Sequence, residues 1–466
     1  MVPRLRVLHA IHDFLPRHQA GSEIYAATLA RTLQQRGHHV TVLAATYDPA
    51  RPHGEVTWRL FEGLPVVEVV NNWAFSSFEE AWTSSELGAV LARILDAVDP
   101  DVVHVHNLFN LSLELPAMAK ARGAAVVATL HDYTLVCPSG GQRLHRAERH
   151  VCHTIDPDRC ARCFRESPFQ AQLVFGRALR APGAGITQRI ARLLRRRTPE
   201  LAARLASAAR RAAGETGPTA EAIARRLERA RSAFDAFDYV VAPSSFMASE
   251  FRGLGFPSEK VHVSDYGFAP VTRASRSAES TSSALRVGYV GTLVWHKGVH
   301  VLVDAVARAP AGVELLLYGD TSTFPEYGAE LRRAAEGLPI RFMGPFGRDD
   351  LAAIYAQIDV LAVPSLWLEN SPLVIHEAFM AGVPVVGARI GGIVDLVQDG
   401  VNGLVYDPTS PDALAAALGQ LATDRALLAT LAANVPTVGT IDADAEHWEG
   451  VYLAVTAGRT KVGAAS

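Results

Sequence analysis

Residues 360–378 read Val-Leu-Ala-Val-Pro-Ser-Leu-Trp-Leu-Glu-Asn-Ser-Pro-Leu-Val-Ile-His-Glu-Ala. The apolar run at the start is typical of a buried parallel strand, and the apolar spacing from Leu373 onward predicts a helix directly after a loop. Glu369 then falls in the loop at the carboxyl end of the strand, and Glu377 falls at least one turn into the helix. Backbone amides near 371–374 are expected to face the same cleft. Since ligands of open parallel sheets bind at this end of the strands, we expect a ligand site here.

Two carboxylates next to free amides suit a ligand that carries both hydroxyls and a diphosphate. Carboxylates accept hydrogen bonds from hydroxyls, and amides at a helix start donate to phosphate oxygens. Taken singly, each glutamate is also typical of a capping or surface residue. The segment 291–298, Gly-Thr-Leu-Val-Trp-His-Lys-Gly, follows another strand and precedes another helix. Its Lys297 adds a cation for a phosphate, and the alternative is an ordinary turn with a solvated lysine.

Short apolar runs alternate with helical patterns along most of the chain, and this alternation predicts an α/β protein. A chain of 466 residues is too long for one ordinary core. We therefore expect two doubly wound Rossmann-like domains that face each other across a cleft. We expect a first domain at 1–275 and a second at 284–440, joined by the polar segment 274–283. A last helix at 441–466 is expected to pack back on the first domain.

A basic insertion at about 165–232 interrupts the first domain, and its pattern is helical. Residues 171–231 contain fourteen arginines and four glutamates, whereas the whole chain carries a net charge of -3. A solvated helical pair is the plainest interpretation. Contact with an anionic membrane surface is the one we favour, because arginine-flanked apolar faces lie in the lipid interface. Nucleic acid is not expected as a partner, given the net charge and the lack of interleaved aromatic residues.

The chain contains no uninterrupted apolar stretch long enough to span a membrane. The N-terminal residues lack the apolar region and cleavage site of a signal peptide. We therefore expect a cytoplasmic protein. Peripheral contact with the inner face of the membrane is a further expectation.

All four cysteines fall in one short window, which favours a metal site or free thiols over a disulfide framework. Cys160 and Cys163 form a C-x-x-C pair, and Cys137 and Cys152 precede them. Four thiolates in one loop suit a structural zinc ion, although the spacing matches no standard zinc finger. Three histidines in the same loop are substitute ligands: His145, His150 and His153.

The stretch around Glu369 and Glu377 closely resembles the donor-binding domain of family 4 glycosyltransferases, which have the GT-B fold. Further motifs carry the resemblance across nearly the whole chain apart from about 165–232. In the second half they are Gly291…Lys297-Gly298, Gly319-Asp320, Phe342-Met343-Gly344-Pro345, Ala378 to Val386, Gly391-Gly392-Ile393 and Asp399 to Val405. In the first half they are Ala20-Gly21-Ser22-Glu23, Arg36 to Val40 and Thr129-Leu130-His131-Asp132.

The resemblance implies a retaining transfer of a sugar from a nucleotide-diphosphate sugar, with no cofactor required for catalysis. It implies a saccharide or lipid-linked acceptor and a place in cell-surface polysaccharide or glycolipid synthesis. Lys297 then holds the diphosphate, Glu377 takes the ribose hydroxyls and Glu369 meets the transferred sugar.

The remaining site residues follow from the same resemblance. Gly21 lies in the loop after the first strand and approaches the phosphates, while Asn370, Ser371 and Leu373 belong to the donor-binding loop. His131 contacts the sugar or the acceptor, and its alternative is a buried histidine bonded to a backbone carbonyl.

Two departures from the family pattern concern the phosphate contacts. Many relatives carry an arginine where this chain has Thr292, so a second cation is missing there. Ala20 replaces a glycine. A non-catalytic nucleotide-sugar-binding or scaffold protein with the same fold is the alternative function. A dinucleotide oxidoreductase is disfavoured because no G-x-G-x-x-G follows the first strand.

Overall fold

The computed structural model describes residues 3–180, 217–270 and 284–457. Much of the basic insertion and the polar segment at 274–283 lie outside the described residues. The chain divides into two compact units. Unit 1 comprises Met1–Ala242, Phe251–Val263 and Asp442–Ser466, and unit 2 comprises Pro243–Glu250 and Ser264–Ile441.

Unit 1 contains an eight-stranded sheet in the order β10-β9-β6-β5-β1-β2-β4-β3. Its strands are β1 Arg6–Ile11, β2 His39–Thr46, β3 Val56–Phe61, β4 Leu64–Val70, β5 Val102–Val105, β6 Ala125–Thr129, β9 Tyr239–Ala242 and β10 Val261–Val263. All neighbours are parallel except β3 and β4. The central strands are Val- and Ala-rich and buried, as both faces of a covered parallel sheet require. A small ribbon pairs β7 Leu144–His145 with β8 His150–Val151.

Unit 2 contains a six-stranded, fully parallel sheet in the order β13-β12-β11-β14-β15-β16. Its strands are β11 Leu285–Val290, β12 Val313–Tyr318, β13 Ile340–Gly344, β14 Val360–Val363, β15 Val385–Ala388 and β16 Gly403–Tyr406. One continuous apolar core packs this sheet against its helices. Since β11 and β14 are neighbours, the loops at their carboxyl ends emerge side by side.

Helices connect the strands of both sheets. The described helices are α1 Gly21–Gln35, α2 Glu80–Thr83, α3 Ser85–Val98, α4 Leu115–Lys120, α5 Pro157–Glu166, α6 Pro168–Arg180, α7 Ala220–Asp235, α8 Ser245–Gly253, α9 Val299–Arg308, α10 Pro325–Ala334, α11 Leu351–Gln357, α12 Leu373–Met380, α13 Ile393–Leu396, α14 Pro411–Thr423, α15 Arg425–Ala433 and α16 Ile441–Thr456. Within the part of the chain that the structure describes, none is both long and apolar enough to cross a bilayer.

The last helix, α16, contributes nearly all its residues to unit 1. Its Tyr452 hydroxyl lies 2.6 Å from Nδ1 of His104 on β5, and the carboxylate of its Asp444 accepts a hydrogen bond of 2.8 Å from Tyr25 on α1. Trp448 and Tyr452 are among the largest fully buried side chains of the chain. The chain's C-terminal helix therefore completes the core of the unit that its N-terminus begins.

Candidate functional site

Glu369 lies in the loop between β14 and α12, where its carboxylate is buried. Nζ of Lys297 donates to its Oε1 at 2.7 Å, and the Ser365 hydroxyl donates to the same oxygen. The ammonium group of Lys297 also lies 5.2 Å from the ring centroid of Trp367. Glu369, the predicted sugar contact, and Lys297, the predicted phosphate contact, thus form one ion pair. This pairing was not predicted from the sequence.

A glycine locks the two loops of this ion pair together. Gly298 has a φ of +71°, and a Cβ at this position would lie 1.7 Å from the carbonyl oxygen of Pro364. The amide of Leu366 donates to the carbonyl of His296 at 2.8 Å and adds a second tie between the same loops. Only glycine allows this approach, so the position of Lys297 depends on backbone contact as well as on charge.

Two further glycines hold the backbone of Glu369 from the other side. A Cβ on Gly391 would lie 2.4 Å from the carbonyl oxygen of Glu369, and a Cβ on Gly392 would lie 1.6 Å from that of Asn370. The amide of Gly392 donates to the Glu369 carbonyl at 2.7 Å. The Gly-Gly pair of the family motif therefore acts by allowing close backbone packing behind the candidate site.

Ser371 lies just before the first turn of α12 and is tied to a buried histidine. Its hydroxyl donates to Asp265 at 2.7 Å and lies 2.8 Å from Nε2 of His376, which is itself 3.4 Å from the Asp265 carboxylate. Burial lowers the pKa of His376, with Asp265 opposing that shift. α12 begins at Leu373, as predicted, and Asn370 and Ser371 are buried beside its start.

Glu377 is partly buried in the second turn of α12. The Tyr355 hydroxyl lies 3.1 Å from its Oε2 and 3.1 Å from the carbonyl of Val374. Burial raises the pKa of Glu377, and the Tyr355 hydrogen bond and the charge of Arg348 oppose that rise only in part. A partly buried carboxylate is well suited to accept hydrogen bonds from ligand hydroxyls.

Histidines cluster where the central strands of unit 1 end. Nε2 of His131, two residues after β6, lies 3.0 Å from Nδ1 of His106, and Nε2 of His106 lies 3.0 Å from Nδ1 of His9 on β1. His104 on β5 stacks on His106. Burial lowers the pKa of His9 and of His131 to about 3, so these rings are neutral at physiological pH.

Gly21 is the first residue of α1 and not a loop residue, which corrects the expected position by a single residue. The preceding Ala20 has no side chain able to cap the helix. The amides of the first turn of α1 therefore depend on other partners. Thr292 is exposed, and its carbonyl accepts a hydrogen bond of 2.7 Å from Tyr289, so it adds no cation to the Lys297 loop.

The four cysteines are free, partly buried and line one small cavity in unit 1. Burial and the other thiols raise the pKa of Cys160 to about 12 and that of Cys163 to about 11. Among the described residues, two groups of three or more side chains bring ligand atoms within 4.8 Å of one another, and neither includes a cysteine. The thiols share a cavity but lie farther apart than a closed metal site requires.

Several residues that contact the site residues were not predicted from the sequence. Ser365 and Tyr355 bond directly to the two glutamates, and Asp265 and His376 hold Ser371. Ser365 was detectable, because it precedes Glu369 by four residues in the same loop. Asp265 carried no local signal, since it lies 106 residues from Ser371 in the chain.

Two family models match this chain. The model described as "Glycosyl transferases group 1" matches residues 284–424, and the model described as "Glycosyltransferase Family 4" matches residues 20–157. Together they include the loops of Lys297 and Glu369 in unit 2 and the ends of β5 and β6 in unit 1.

Curated relatives resemble part of the chain. A GDP-mannose-dependent alpha-mannosyltransferase of Corynebacterium glutamicum is 35% identical over 175 residues, which cover 36% of this chain and 40% of the relative. A D-inositol 3-phosphate glycosyltransferase of Xylanimonas cellulosilytica is 34% identical over 218 residues, which cover 43% and 52%. The lipopolysaccharide core biosynthesis glycosyltransferase LpsE of Rhizobium meliloti is 33% identical, with 42% and 57% covered. The chain thus spans about half the length of these relatives.

Solved structures resemble nearly all of the chain. Anabaena Alr3699/HepE in complex with UDP and glucose superposes with a TM-score of 0.62 at 18% identity, covering 97% of this chain and all of that one. Sucrose-phosphate synthase from Thermosynechococcus elongatus superposes with a TM-score of 0.65 at 19% identity, covering 97% and 99%. Taken with the two family models and the motifs around Glu369, these likenesses show that the chain belongs to glycosyltransferase family 4 and has the GT-B fold.

Proposed function

We propose that this chain is a retaining glycosyltransferase that moves a sugar from a nucleotide-diphosphate sugar to a saccharide or lipid-linked acceptor. The observation that carries the proposal is the ion pair of Lys297 and Glu369. It lies at the carboxyl ends of two neighbouring parallel strands, beside the start of α12, where such sheets bind ligands. The similarity to the Corynebacterium GDP-mannose-dependent alpha-mannosyltransferase supports the same class of donor.

We propose that the donor is held by five groups of unit 2. Lys297 and the amides at the start of α12, near Ser371 and Leu373, hold the diphosphate, while Asn370 lines the same loop. Glu377 accepts hydrogen bonds from the ribose hydroxyls. The transferred sugar meets Glu369.

Donor binding is expected to change the ion pair of Lys297 and Glu369. Lys297 neutralises the buried carboxylate of Glu369, and a bound diphosphate would compete with that carboxylate for the positive charge of Lys297. We infer that the diphosphate takes over Lys297, which frees Oε1 of Glu369 to accept a sugar hydroxyl. Binding of the charged and the neutral halves of the donor is then coupled through one side chain.

The transfer itself breaks the bond between the sugar's anomeric carbon and the diphosphate oxygen and forms a bond to the acceptor oxygen on the same face. The acceptor's proton passes to the leaving phosphate oxygen, so no cofactor is required. Neutral His131 donates or accepts one hydrogen bond to the sugar or acceptor, and Gly21 at the start of α1 approaches the phosphates. A trapped covalent sugar–enzyme intermediate would contradict this mechanism.

The test is a screen of UDP-, GDP- and ADP-sugars against the full chain. We expect one nucleotide class to raise the melting temperature, and the matching sugar donor to release nucleoside diphosphate when an acceptor is present. Product NMR should show the donor's anomeric configuration. The proposal fails if ligand binding occurs without any transfer to a panel of saccharide and lipid-linked acceptors, which would instead support a non-catalytic binding protein.

We further propose that the cysteine loop holds a structural zinc ion through Cys137, Cys152, Cys160 and Cys163. The ligand type and the shared cavity support the proposal. Because the sulfurs are too far apart for closed coordination, zinc must draw them together and tighten the loop. Metal analysis of freshly purified, reduced protein is expected to find zinc, and Cys160→Ser should hold one zinc ion per chain less than the wild type. Protein without zinc would remove the proposal.

A membrane-associated role in cell-surface polysaccharide or glycolipid synthesis completes the proposed function. Its support is the arginine-rich sequence at 171–231 and the similarity to LpsE, a glycosyltransferase of lipopolysaccharide core biosynthesis. We expect co-sedimentation with vesicles that contain anionic lipid and little with neutral vesicles. Equal binding to both kinds of vesicle would contradict it.

A further inference from the structure

Two histidines and a glutamate converge in the segment that joins β1 to α1. His12 and His18 lie in that segment, and Glu23 lies in the first turn of α1. Nε2 of His12 and Nδ1 of His18 each lie 3.2 Å from Oε1 of Glu23. The two rings meet edge to face, with centroids 5.8 Å apart, so both nitrogens approach one oxygen from different directions.

The carboxylate at the centre of this group is fully buried. Its Oε2 accepts a hydrogen bond of 3.2 Å from Ser22, whereas its Oε1 has no hydrogen-bond partner of acceptable geometry among the described residues. No lysine or arginine in the described part of the chain forms an ion pair with it. A buried carboxylate oxygen that lies close to two imidazole nitrogens without bonding well to either needs a further partner.

The distances fit a metal ion. Zinc binds imidazole nitrogen at about 2.0–2.1 Å and carboxylate oxygen at about 2.0–2.2 Å, so adjacent ligand atoms of a tetrahedral site lie about 3.3 Å apart. Both nitrogen–oxygen distances in this group match that separation, and all three ligand atoms lie within 4.8 Å of one another. We propose that His12, His18 and Glu23 bind a divalent transition-metal ion of the zinc class.

A second group of histidines in unit 1 brings its ligand atoms close enough for a metal ion, but most of these atoms already form hydrogen bonds. His9, His104 and His106 also bring ligand atoms within 4.8 Å. Both nitrogens of His104 are engaged, by Tyr452 and Thr129, and both nitrogens of His106 are engaged by other histidines. These lone pairs and protons are already used within the protein, whereas those around Glu23 Oε1 are not.

The exposure of the group suits an open metal site. About half of the His18 side chain and a fifth of the His12 side chain are exposed, while Glu23 is closed off below them. An ion bound here has three protein ligands and one position directed to solvent, which water fills. Since the ligands come from both ends of the segment between β1 and α1, the metal clamps the loop that leads into Gly21.

The test is a titration of the chelator-treated full chain with Co²⁺, with Zn²⁺ as competitor. Cobalt bound to nitrogen and oxygen lacks the thiolate-to-metal charge-transfer band that cobalt in the cysteine loop shows, so the two sites are distinguishable in one spectrum. We expect a nitrogen- and oxygen-ligated cobalt spectrum in the wild type. His18→Ala and Glu23→Gln should weaken it by at least the roughly 10- to 100-fold that loss of an outer-shell partner causes.

His39→Ala is the matched control, because it removes an exposed histidine of the same unit. It should leave the cobalt spectrum and the affinity unchanged. Zn²⁺ should also raise the melting temperature of Glu23→Gln by less than that of the wild type and of His39→Ala, because the variant keeps only the cysteine site. The proposal is overturned if only thiolate-ligated cobalt appears, or if His18→Ala and Glu23→Gln bind cobalt as tightly as the wild type.

Discussion

The strand ends of unit 1 and of unit 2 carry opposite kinds of chemistry. Unit 1 presents imidazoles that burial keeps neutral, with His131, His106 and His9 hydrogen-bonded in series. Unit 2 presents the charged pair of Lys297 and Glu369. A mainly parallel sheet can therefore carry either a neutral or a charged site at its strand ends, according to the side chains that follow its strands. A diphosphate suits the charged site, and uncharged sugar hydroxyls suit the neutral one.

The largest effect is expected when the positive charge of Lys297 is removed from the charged site of unit 2. If Lys297 holds the diphosphate, Lys297→Met should lower kcat/KM for sugar transfer by about 100- to 1,000-fold, the usual loss for one group that stabilises leaving-group charge. It also leaves the buried Glu369 without its cation. Lys120→Met is the control, because it removes the surface ion pair with Asp238 and should leave the rate unchanged. Equal rates in both variants would contradict the assignment.

Loss of the Glu377 carboxylate should weaken donor binding. Glu377→Gln should raise the KM for the nucleotide sugar by about 10- to 100-fold, because a hydrogen bond to a charged group contributes about 1.5–3 kcal/mol. Tyr355→Phe removes only the hydroxyl that bonds to Glu377 and should change KM much less. Steady-state kinetics with a fixed acceptor measures both. An unchanged KM in Glu377→Gln would separate Glu377 from the donor.

Acid should act on His9 of unit 1 and on Glu377 of unit 2 with opposite sign. The folded pKa of His9 is about 3, whereas an unfolded histidine takes up a proton near pH 6.5. The unfolded chain therefore binds more protons below pH 6.5, and His9 alone should lower the free energy of unfolding by about 2 kcal/mol at pH 5. The raised pKa of Glu377 works the other way, because its burial opposes folding least when it is protonated.

Hydrogen exchange followed separately in the two units between pH 7 and pH 5 measures this difference. Amides of the unit 1 sheet should lose protection on acidification, and amides around α12 should lose less. His9→Gln should flatten the response of unit 1. A uniform loss of protection in both units, unchanged by His9→Gln, would refute the prediction.

The smallest expected effect concerns the bonding within the neutral site. His106→Leu leaves Nε2 of His131 and Nδ1 of His9 without their shared partner, whereas His106→Asn keeps one donor and one acceptor. The asparagine variant should be more stable by about 1 kcal/mol in urea denaturation, the usual net contribution of a hydrogen bond. If the leucine variant is the more stable of the two, packing and not hydrogen bonding holds His106.

Much of the architecture was predictable because it depends on local pattern. The helix expected from Leu373 begins there, and the apolar runs form parallel strands. Glu369 and Glu377 were located correctly in a loop and a helix for the same reason. Their partners Ser365 and Tyr355 were not predicted, because nothing in a serine or tyrosine alone indicates what it will bond to.

Short motifs and periodicity were enough to identify the family, the alternation of strands and helices, and the residues at the strand ends. How those residues combine depends on contacts between distant parts of the chain. Lys297 and Glu369 are 72 positions apart, and His9 and His106 are 97 apart. Parallel pairing of β11 with β14, and of β1 with β5, brings their ends together. Pairing between distant strands is a property of the whole sheet, so no local stretch of sequence encodes it.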